Sequence, residues 1–98
     1  MPPESNACFH AIVQGRVQGV GFRAFVYDRA QALGLTGWVR NKGETQVEVW
    51  AEGLQADLDR LLADLQRGPS MAFVSNVEIS RPDPLGKYNR FMVVSSTW

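Results

Sequence analysis

The sequence predicts an α+β fold in which one β-sheet carries two helices on one of its faces. Three observations lead to this prediction. Short runs with the apolar–polar alternation of strands recur along the 98 residues. Two other segments repeat apolar residues at the three- and four-residue spacing of a helix. These segments follow one another in the order β-α-β-β-α-β, which is the order of the split βαβ motif.

The first strand is predicted over residues 8–13, where three alternating apolar side chains share one face: Phe9, Ala11 and Val13. A glycine-rich segment, residues 15–21, comes next. The first helix is predicted to begin at Phe22, because apolar residues then recur at spacings of four, four and three. Gly34 stands where such a helix would end.

A hairpin and a second helix occupy the middle of the chain. The two strands of the hairpin are predicted over residues 37–41 and 46–52, the second with valine and alanine alternating with polar residues. The clearest helix lies between Gly53 and Gly68, because its leucines form one stripe: Leu54, Leu58, Leu61, Leu62 and Leu65. The acidic residues off this stripe are expected to face solvent: Asp57, Asp59 and Asp64.

The last part of the chain predicts a fourth strand over residues 73–79, with an uneven alternation, and a final short strand over residues 91–94. The predicted fold is therefore a ferredoxin-like split βαβ sandwich, βαββαβ plus a short extra strand. Right-handed crossovers would give an antiparallel sheet with both helices on one face. We expect a single domain over residues 1–98, with residues 1–7 as a flexible tail.

Composition argues against several classes of protein. Ten basic and ten acidic residues give a formal net charge of zero at pH 7, whereas domains that hold nucleic acid through their charge are strongly basic. The single cysteine, Cys8, cannot form an internal disulfide, which fits a reducing compartment. No apolar run approaches the roughly 20 residues that span a bilayer, and residues 1–7 lack a signal-peptide pattern. We therefore expect a cytoplasmic protein that binds neither nucleic acid nor a membrane.

The strongest functional signal is the glycine-rich segment between the first strand and the first helix. Its glycines let backbone N–H groups turn toward one point, and the start of the helix adds unpaired N–H groups and a positive dipole end. Arg23 can reach the same point with a planar fork of donors that suits a phosphate. The segment thus indicates an anion site. A tight connection that needs glycine only for its geometry gives the same pattern, and both interpretations stand on the residues alone.

Two segments resemble the signatures of the acylphosphatase family. Residues 15–23, GRVQGVGFR, resemble the first signature, and residues 37–41, GWVRN, resemble the second. Residues 68–72 also resemble the segment that precedes the fourth strand in this family. The resemblance extends from about Phe9 to Phe91 in the expected order, so the chain is identified as a member of the family.

The resemblance implies a hydrolase that cleaves the carboxyl–phosphate anhydride bond of acyl phosphates to a carboxylate and inorganic phosphate. It implies that Arg23 holds the phosphoryl group and that Asn41 orients the attacking water. The phosphate-binding loop of such an enzyme comprises Gly15, Arg16, Val17, Gln18, Gly19, Val20, Gly21 and Phe22. Inorganic phosphate is expected as a product and competitive inhibitor, and a monomer is the expected state.

Hydrolysis of an acyl phosphate in this way requires no metal and no cofactor. The acid of the leaving carboxylate has a pKa of about 4–5, and the charge of the loose transition state lies on the phosphoryl oxygens. Backbone N–H groups and Arg23 can hold those oxygens, while the amide of Asn41 positions water. We expect no catalytic role for Cys8 or for His10, the only histidine. Arg16 either contributes to the anion site or is simply an exposed loop residue.

Two features depart from the family pattern. Thr45 stands where the family usually has glycine, so Gly43 is the candidate for the left-handed position of the hairpin. Many relatives end in a tyrosine shortly after the residue that matches Phe91, whereas this chain continues to Trp98. The contribution of this C-terminal segment to holding Arg23 therefore stays open.

Two other functions fit the same order of elements. An RNA-binding domain would carry basic and aromatic residues on its third strand, but residues 46–50 read QVEVW. A ligand-sensing or carbamoyl-phosphate-handling domain is the other alternative, because acylphosphatase-like domains occur within larger maturation proteins. An inactive relative with an intact loop would show the same motifs, and only turnover distinguishes it.

Overall fold

The computed structural model describes residues 6–98. Its elements are β1 (Ala7–Arg16), α1 (Phe22–Ala32), β2 (Thr36–Lys42), β3 (Gln46–Gly53), α2 (Gln55–Arg67), β4 (Phe73–Ser80) and β5 (Phe91–Val93). This order confirms the predicted α+β, ferredoxin-like fold. Of the predicted tail, residues 1–5 lie outside the described residues, and Ala7 already pairs with Gly53 in the sheet. No helix in the described part is long and apolar enough to cross a membrane.

The sheet has the strand order β4-β1-β3-β2-β5. Neighbours among the first four strands pair antiparallel, but β5 runs parallel to β2. The predicted sheet was wholly antiparallel, so this part of the prediction is wrong. The chain leaves β4 at one edge, crosses one end of the sheet through residues 81–90, and enters β5 at the opposite edge. β5 begins at the same end of the sheet as β2, so the two strands run in the same direction.

Both helices cover one face of the sheet, and the core lies between them and the strands. Alternate side chains of the two central strands are fully buried on this face: Phe9, Ala11, Val13, Val47, Val49 and Ala51. The helices contribute Phe22, Val26, Ala30, Leu58, Leu61 and Leu65 to the same core. Burial of this apolar surface, at about 25 cal/mol per Å², is the main force that holds the layers together.

The second helix shows two differences from its sequence pattern. Leu54, the first leucine of the predicted stripe, precedes α2 and is 39% exposed. Asp64 was expected to face solvent but is buried. One of its carboxylate oxygens accepts a 2.8 Å hydrogen bond from Nε of Arg29, and the other accepts a 3.1 Å bond from Nη2 of Arg67. Asp64 therefore links α2 to α1, which the pattern of α2 alone does not show.

The uneven alternation of β4 has a structural cause. The register of β4 against β1 shifts beside Gly15, so an extra residue is inserted into one strand. Val74 and Val77, three residues apart, consequently both pack against the core. Phe73 and Ile79, by contrast, are 67% and 37% exposed.

Candidate active site

The glycine loop and the second signature meet at one end of the sheet. Residues 17–21 connect β1 to α1 there, beside the end of β2. A cleft of about 300 Å³ opens at this point, lined by Val17, Gly19, Gly21, Arg23, Ala24, Asn41 and Val93. The structure therefore brings together the two predicted catalytic residues and part of the predicted loop.

The loop presents the N-terminus of α1 to the cleft. Gly19 and Gly21 have φ angles of 72° and 79°, which turn the chain sharply before Phe22 begins the helix. Neither a capping side chain nor an acidic residue occupies the first turn of α1. The N–H groups of that turn have no partner within the helix, and no carboxylate in the first turn offsets the positive end of α1. These features suit a bound anion.

Arg23 projects from the first turn of α1 into the same cleft. Its guanidinium makes no ion pair and no side-chain hydrogen bond with any of residues 6–98. Its five N–H donors are therefore free for a ligand. A guanidinium in this position can bind two oxygens of a phosphoryl group with parallel hydrogen bonds.

Asn41 faces Arg23 from the end of β2. It is paired with Val47 of β3, and the pairing turns its side chain toward the helix-covered face. Its Oδ1 atom is buried and accepts no hydrogen bond from the described residues. Leaving such a buried acceptor unpaired typically costs about 1–3 kcal/mol. An amide that both accepts and donates can use this free oxygen to hold a water molecule.

Gln18 belongs to the predicted phosphate loop, but its side chain contacts the β2–β3 hairpin. Its Nε2 lies 2.9 Å from the carbonyl oxygen of Gln46, 3.0 Å from that of Gly43 and 3.4 Å from that of Lys42. Its side chain does not line the cleft. No sequence pattern points to this contact, because all three partners are main-chain oxygens.

Four further members of the predicted loop also lie outside the cleft lining. Gly15 belongs to β1 and packs so closely on β4 that a Cβ atom there would overlap the carbonyl oxygen of Phe73. Arg16 is exposed at the end of β1. Val20 packs against the core, and Phe22 is part of it. None of these four residues lines the cleft, and the core contacts of Val20 and Phe22 anchor the loop.

The departure at Thr45 is accommodated by Gly43. Gly43 has a φ of 59°, and no residue other than glycine has a positive φ within residues 6–98. Thr45 instead joins the hairpin to β1. Its carbonyl oxygen accepts a 3.3 Å hydrogen bond from the N–H of Gly15, and its Oγ1 accepts a 2.9 Å bond from Nε2 of Gln14.

The segment after β5 was not predicted to take part in the sheet, yet it pairs with the end of β2. The N–H of Thr97 donates to the carbonyl oxygen of Asn41 at 2.9 Å, and the N–H of Gly43 donates to the carbonyl oxygen of Thr97 at 2.8 Å. Lys42 adds a 3.2 Å hydrogen bond from Nζ to the main-chain oxygen of Trp98. The C-terminal segment therefore contacts the backbone of Asn41; no hydrogen bond joins it to Arg23 in the described structure.

The other titratable groups of interest lie on the open face of the sheet. Glu48 accepts 2.7 Å hydrogen bonds from Nε2 of His10 and Nε of Arg40. Burial acts to raise the pKa of Glu48, but these two partners outweigh it, and the pKa lies below its usual value. Burial, with a smaller contribution from the charge of Glu52, raises the pKa of Cys8 to about 11. No group of three His, Cys, Asp or Glu residues in the described chain is placed to hold a metal ion.

The family model of acylphosphatase matches residues 9–93. The chain belongs to the acylphosphatase family. An acylphosphatase from Koribacter versatilis (strain Ellin345) is 43% identical over 95 residues, which are 97% of this chain and 86% of that relative. The crystal structure of acylphosphatase from Bacillus subtilis superimposes with a TM-score of 0.86 at 35% identity, covering 90% of this chain and 98% of that one.

The acylphosphatase fold also matches a part of a longer protein. A crystal structure of full-length HypF in the phosphate- and nucleotide-bound form has a TM-score of 0.88 and 26% identity. The match covers 98% of this chain but 13% of HypF. Sequence and structure thus agree on family and fold, as the two signatures predicted.

Proposed function

We propose that this acylphosphatase hydrolyses the carboxyl–phosphate anhydride bond of acyl phosphates in the cleft between the glycine loop and Asn41. One observation carries the proposal. An arginine with no ion-pair partner among residues 6–98, the uncapped start of α1 and a buried, unpaired Oδ1 of Asn41 meet in one cleft. The buried Oδ1 would be costly to leave unpaired, and the three groups together match a phosphoryl group and a water molecule.

Arg23 and the backbone N–H groups of the loop bind the phosphoryl oxygens. The transferred group passes through a loose transition state in which negative charge is spread over these oxygens. The guanidinium and the N-terminus of α1 are in place before the reaction, so they stabilise that charge without reorganising. The loop that supplies this backbone comprises Gly15, Arg16, Val17, Gln18, Gly19, Val20, Gly21 and Phe22, of which Val17, Gly19 and Gly21 line the cleft.

Asn41 positions the attacking water. Its Oδ1 accepts a hydrogen bond from the water and turns a lone pair of the water oxygen toward phosphorus. A bond forms between this oxygen and phosphorus while the bond from phosphorus to the acyl oxygen breaks. The acyl oxygen keeps the electron pair and leaves as a carboxylate, which needs no proton because the pKa of its acid, about 4–5, lies well below neutral pH. The proton lost by the water passes to the phosphate product or to solvent.

The proposed enzyme uses no metal or other cofactor and works as a monomer in the cytoplasm. Inorganic phosphate, its product, competes with the substrate because the cleft binds the phosphoryl end. The formal net charge of zero at pH 7 supports a small-molecule substrate over nucleic acid. Light scattering coupled to gel filtration tests the oligomeric state.

A phosphate-sensing domain without turnover is the second candidate, favoured by the match to part of HypF. An RNA-binding domain has less support, because the open face of β3 presents Glu48 and Glu52. Hydrolysis of benzoyl phosphate in excess EDTA separates the candidates. Turnover with inhibition by inorganic phosphate supports the proposed enzyme, whereas phosphate binding without turnover supports the sensing domain.

A further inference from the structure

Gln18 connects the two halves of the proposed active site. It lies in the middle of the glycine loop, and its side chain crosses to the β2–β3 hairpin. An amide NH2 group has two hydrogens, which can satisfy the two closer carbonyl oxygens, those of Gln46 at 2.9 Å and Gly43 at 3.0 Å. The carbonyl oxygen of Lys42, at 3.4 Å, shares one of them. One side chain thereby holds both strands of the hairpin.

The turn of the β2–β3 hairpin, which Gln18 contacts, directly follows Asn41 in the sequence. The C-terminal segment also forms hydrogen bonds with this part of the chain. Thr97 accepts a hydrogen bond from the N–H of Gly43 and donates one to the carbonyl oxygen of Asn41. Gln18 and Thr97 thus fix the peptide groups on either side of Lys42. The orientation of the Asn41 side chain depends on this backbone.

We propose that Gln18 is a positioning residue that sets the placement of the phosphate loop relative to Asn41. This inference rests on the proposed function. The loop and Asn41 are separated in sequence by all of α1, so their relative position depends on contacts such as those of Gln18. In-line attack needs the reacting atoms about 3–3.5 Å apart and aligned, and a misplacement of about 1 Å can lower the rate on the order of a hundredfold.

Gln14 provides a matched control because it is also a glutamine that binds this hairpin. Its Nε2 donates to Oγ1 of Thr45 at 2.9 Å, but that contact lies at the other side of the turn from Asn41. Loss of either hydrogen bond weakens the attachment of the hairpin. Only loss of the Gln18 contact is expected to change the alignment of Asn41 with the loop.

The experiment compares the wild-type chain with Gln18→Leu, Gln18→Glu and Gln14→Leu. The measured quantities are kcat and KM for benzoyl phosphate, the inhibition constant of inorganic phosphate, and Tm. For Gln18→Leu we expect kcat to fall by about 10–100-fold while phosphate inhibition stays within about threefold. For Gln14→Leu we expect a lower Tm with kcat within about twofold of wild type.

Gln18→Glu keeps the size of the side chain and tests the donor itself. An ionised carboxylate cannot donate and is repelled by the three carbonyl oxygens, whereas the protonated acid can donate one hydrogen bond. The kcat of this variant, relative to wild type, should therefore recover as the pH falls from about 7 toward the usual carboxyl pKa of about 4.3. A merely structural defect would show no such recovery at temperatures below Tm.

Three results would overturn the inference. The first is a wild-type kcat in folded Gln18→Leu and Gln18→Glu. The second is weaker phosphate inhibition at unchanged kcat, which would make Gln18 a phosphate ligand. The third is an equal loss of kcat in Gln14→Leu. Failure of the proposed function looks different, because the wild-type chain itself would then not hydrolyse benzoyl phosphate.

Discussion

Within the described chain, polar side chains are hydrogen-bonded on the open face of the β-sheet, whereas those at the cleft on the other face are not. On the open face, the carboxylate of Glu48 is paired with both His10 and Arg40. Glu52 on the same face accepts hydrogen bonds from Nε1 of Trp50 and from two N–H groups of the loop that follows β4. Burial acts to raise the pKa of Glu52, but these bonds outweigh it, and the pKa lies below its usual value.

At the cleft, which lies at one end of the helix-covered face, two polar groups have no such partner in the described structure. Arg23 has no carboxylate partner among residues 6–98, and Oδ1 of Asn41 is buried without a hydrogen bond. Native proteins pair nearly all buried polar groups, so exceptions indicate a ligand or a catalytic role. Arg40 is paired with Glu48, whereas Arg23 has no such partner among the described residues, and we propose that this difference separates a structural arginine from a catalytic one.

Substitution of Arg23 should give the largest effect on activity. Arg23→Ala removes a charged donor from the transferred group, which costs about 3 kcal/mol or more, a hundredfold or greater loss of kcat/KM. Phosphate inhibition should weaken as well, with Tm nearly unchanged. Arg23→Lys should recover only part of the activity, because an ammonium lacks the fork of donors. Steady-state kinetics on benzoyl phosphate measure these effects.

Arg40→Ala is the matched control on the other face. It removes the hydrogen bond to Glu48 and the guanidinium that lies 4.7 Å from the ring centre of Trp38. Tm should fall, while kcat/KM stays within about threefold, since no reacting group is touched. Near-native activity of folded Arg23→Ala, or a hundredfold loss in Arg40→Ala, would contradict the assignment of the two faces.

Substitution of Asn41 should separate turnover from binding. Asn41→Ala loses the group that we propose orients water, so kcat should fall by about a hundredfold, while KM and phosphate inhibition change little. Asn41→Asp should fail as well, because a carboxylate cannot donate and repels the phosphoryl group. A raised KM at unchanged kcat would place Asn41 in substrate binding instead.

Glu48→Gln should change stability and leave activity intact. The pKa of Glu48 is lowered in the folded state, so its ionic contribution is complete above the unfolded pKa, about 4.3, and is lost as the pH falls through the folded value. At pH near 7 the variant should be about 1–3 kcal/mol less stable. Urea titrations at several pH values measure this difference, which should shrink below about pH 4. A difference independent of pH would contradict the ionic origin.

Substitution of Cys8 should have the smallest effect on activity. Its thiol is buried, and its pKa of about 11 leaves almost no thiolate at neutral pH. The native chain should react slowly with iodoacetamide and the unfolded chain rapidly. Cys8→Ala should keep kcat within about twofold, and a larger loss would reveal a role for the thiol.

Local patterns in the sequence predict most of the elements but not all of their relations. Alternation and the leucine stripe are sufficient for the helices and the first four strands. The parallel direction of β5 depends on the edge that residues 81–90 reach, and burial of Asp64 depends on Arg29 from another helix. These are long-range contacts, and no local pattern encodes them.

The candidate site also combines residues that a local sequence pattern indicates with contacts that it does not. Arg23 and Asn41 lie in short motifs whose residue types match the proposed chemistry, so the sequence is enough to propose them, and both line the cleft. The contacts of Gln18 and Thr97 are different, because their partners are main-chain atoms at residues distant in sequence. Every residue type carries a main-chain carbonyl oxygen, so the identity of the partner residue gives no sign of the contact.

A series of leaving groups tests whether the cleft acts by holding the phosphoryl end and positioning water, without a proton donor. The measurement is kcat/KM for benzoyl phosphate, an aryl phosphate and glycerol phosphate, in excess EDTA. Without a general acid the rate should follow the ability of the leaving group to carry negative charge. We predict rapid turnover of benzoyl phosphate, slow turnover of the aryl phosphate and negligible turnover of glycerol phosphate, all inhibited by inorganic phosphate. Comparable rates for benzoyl phosphate and glycerol phosphate would contradict this mechanism.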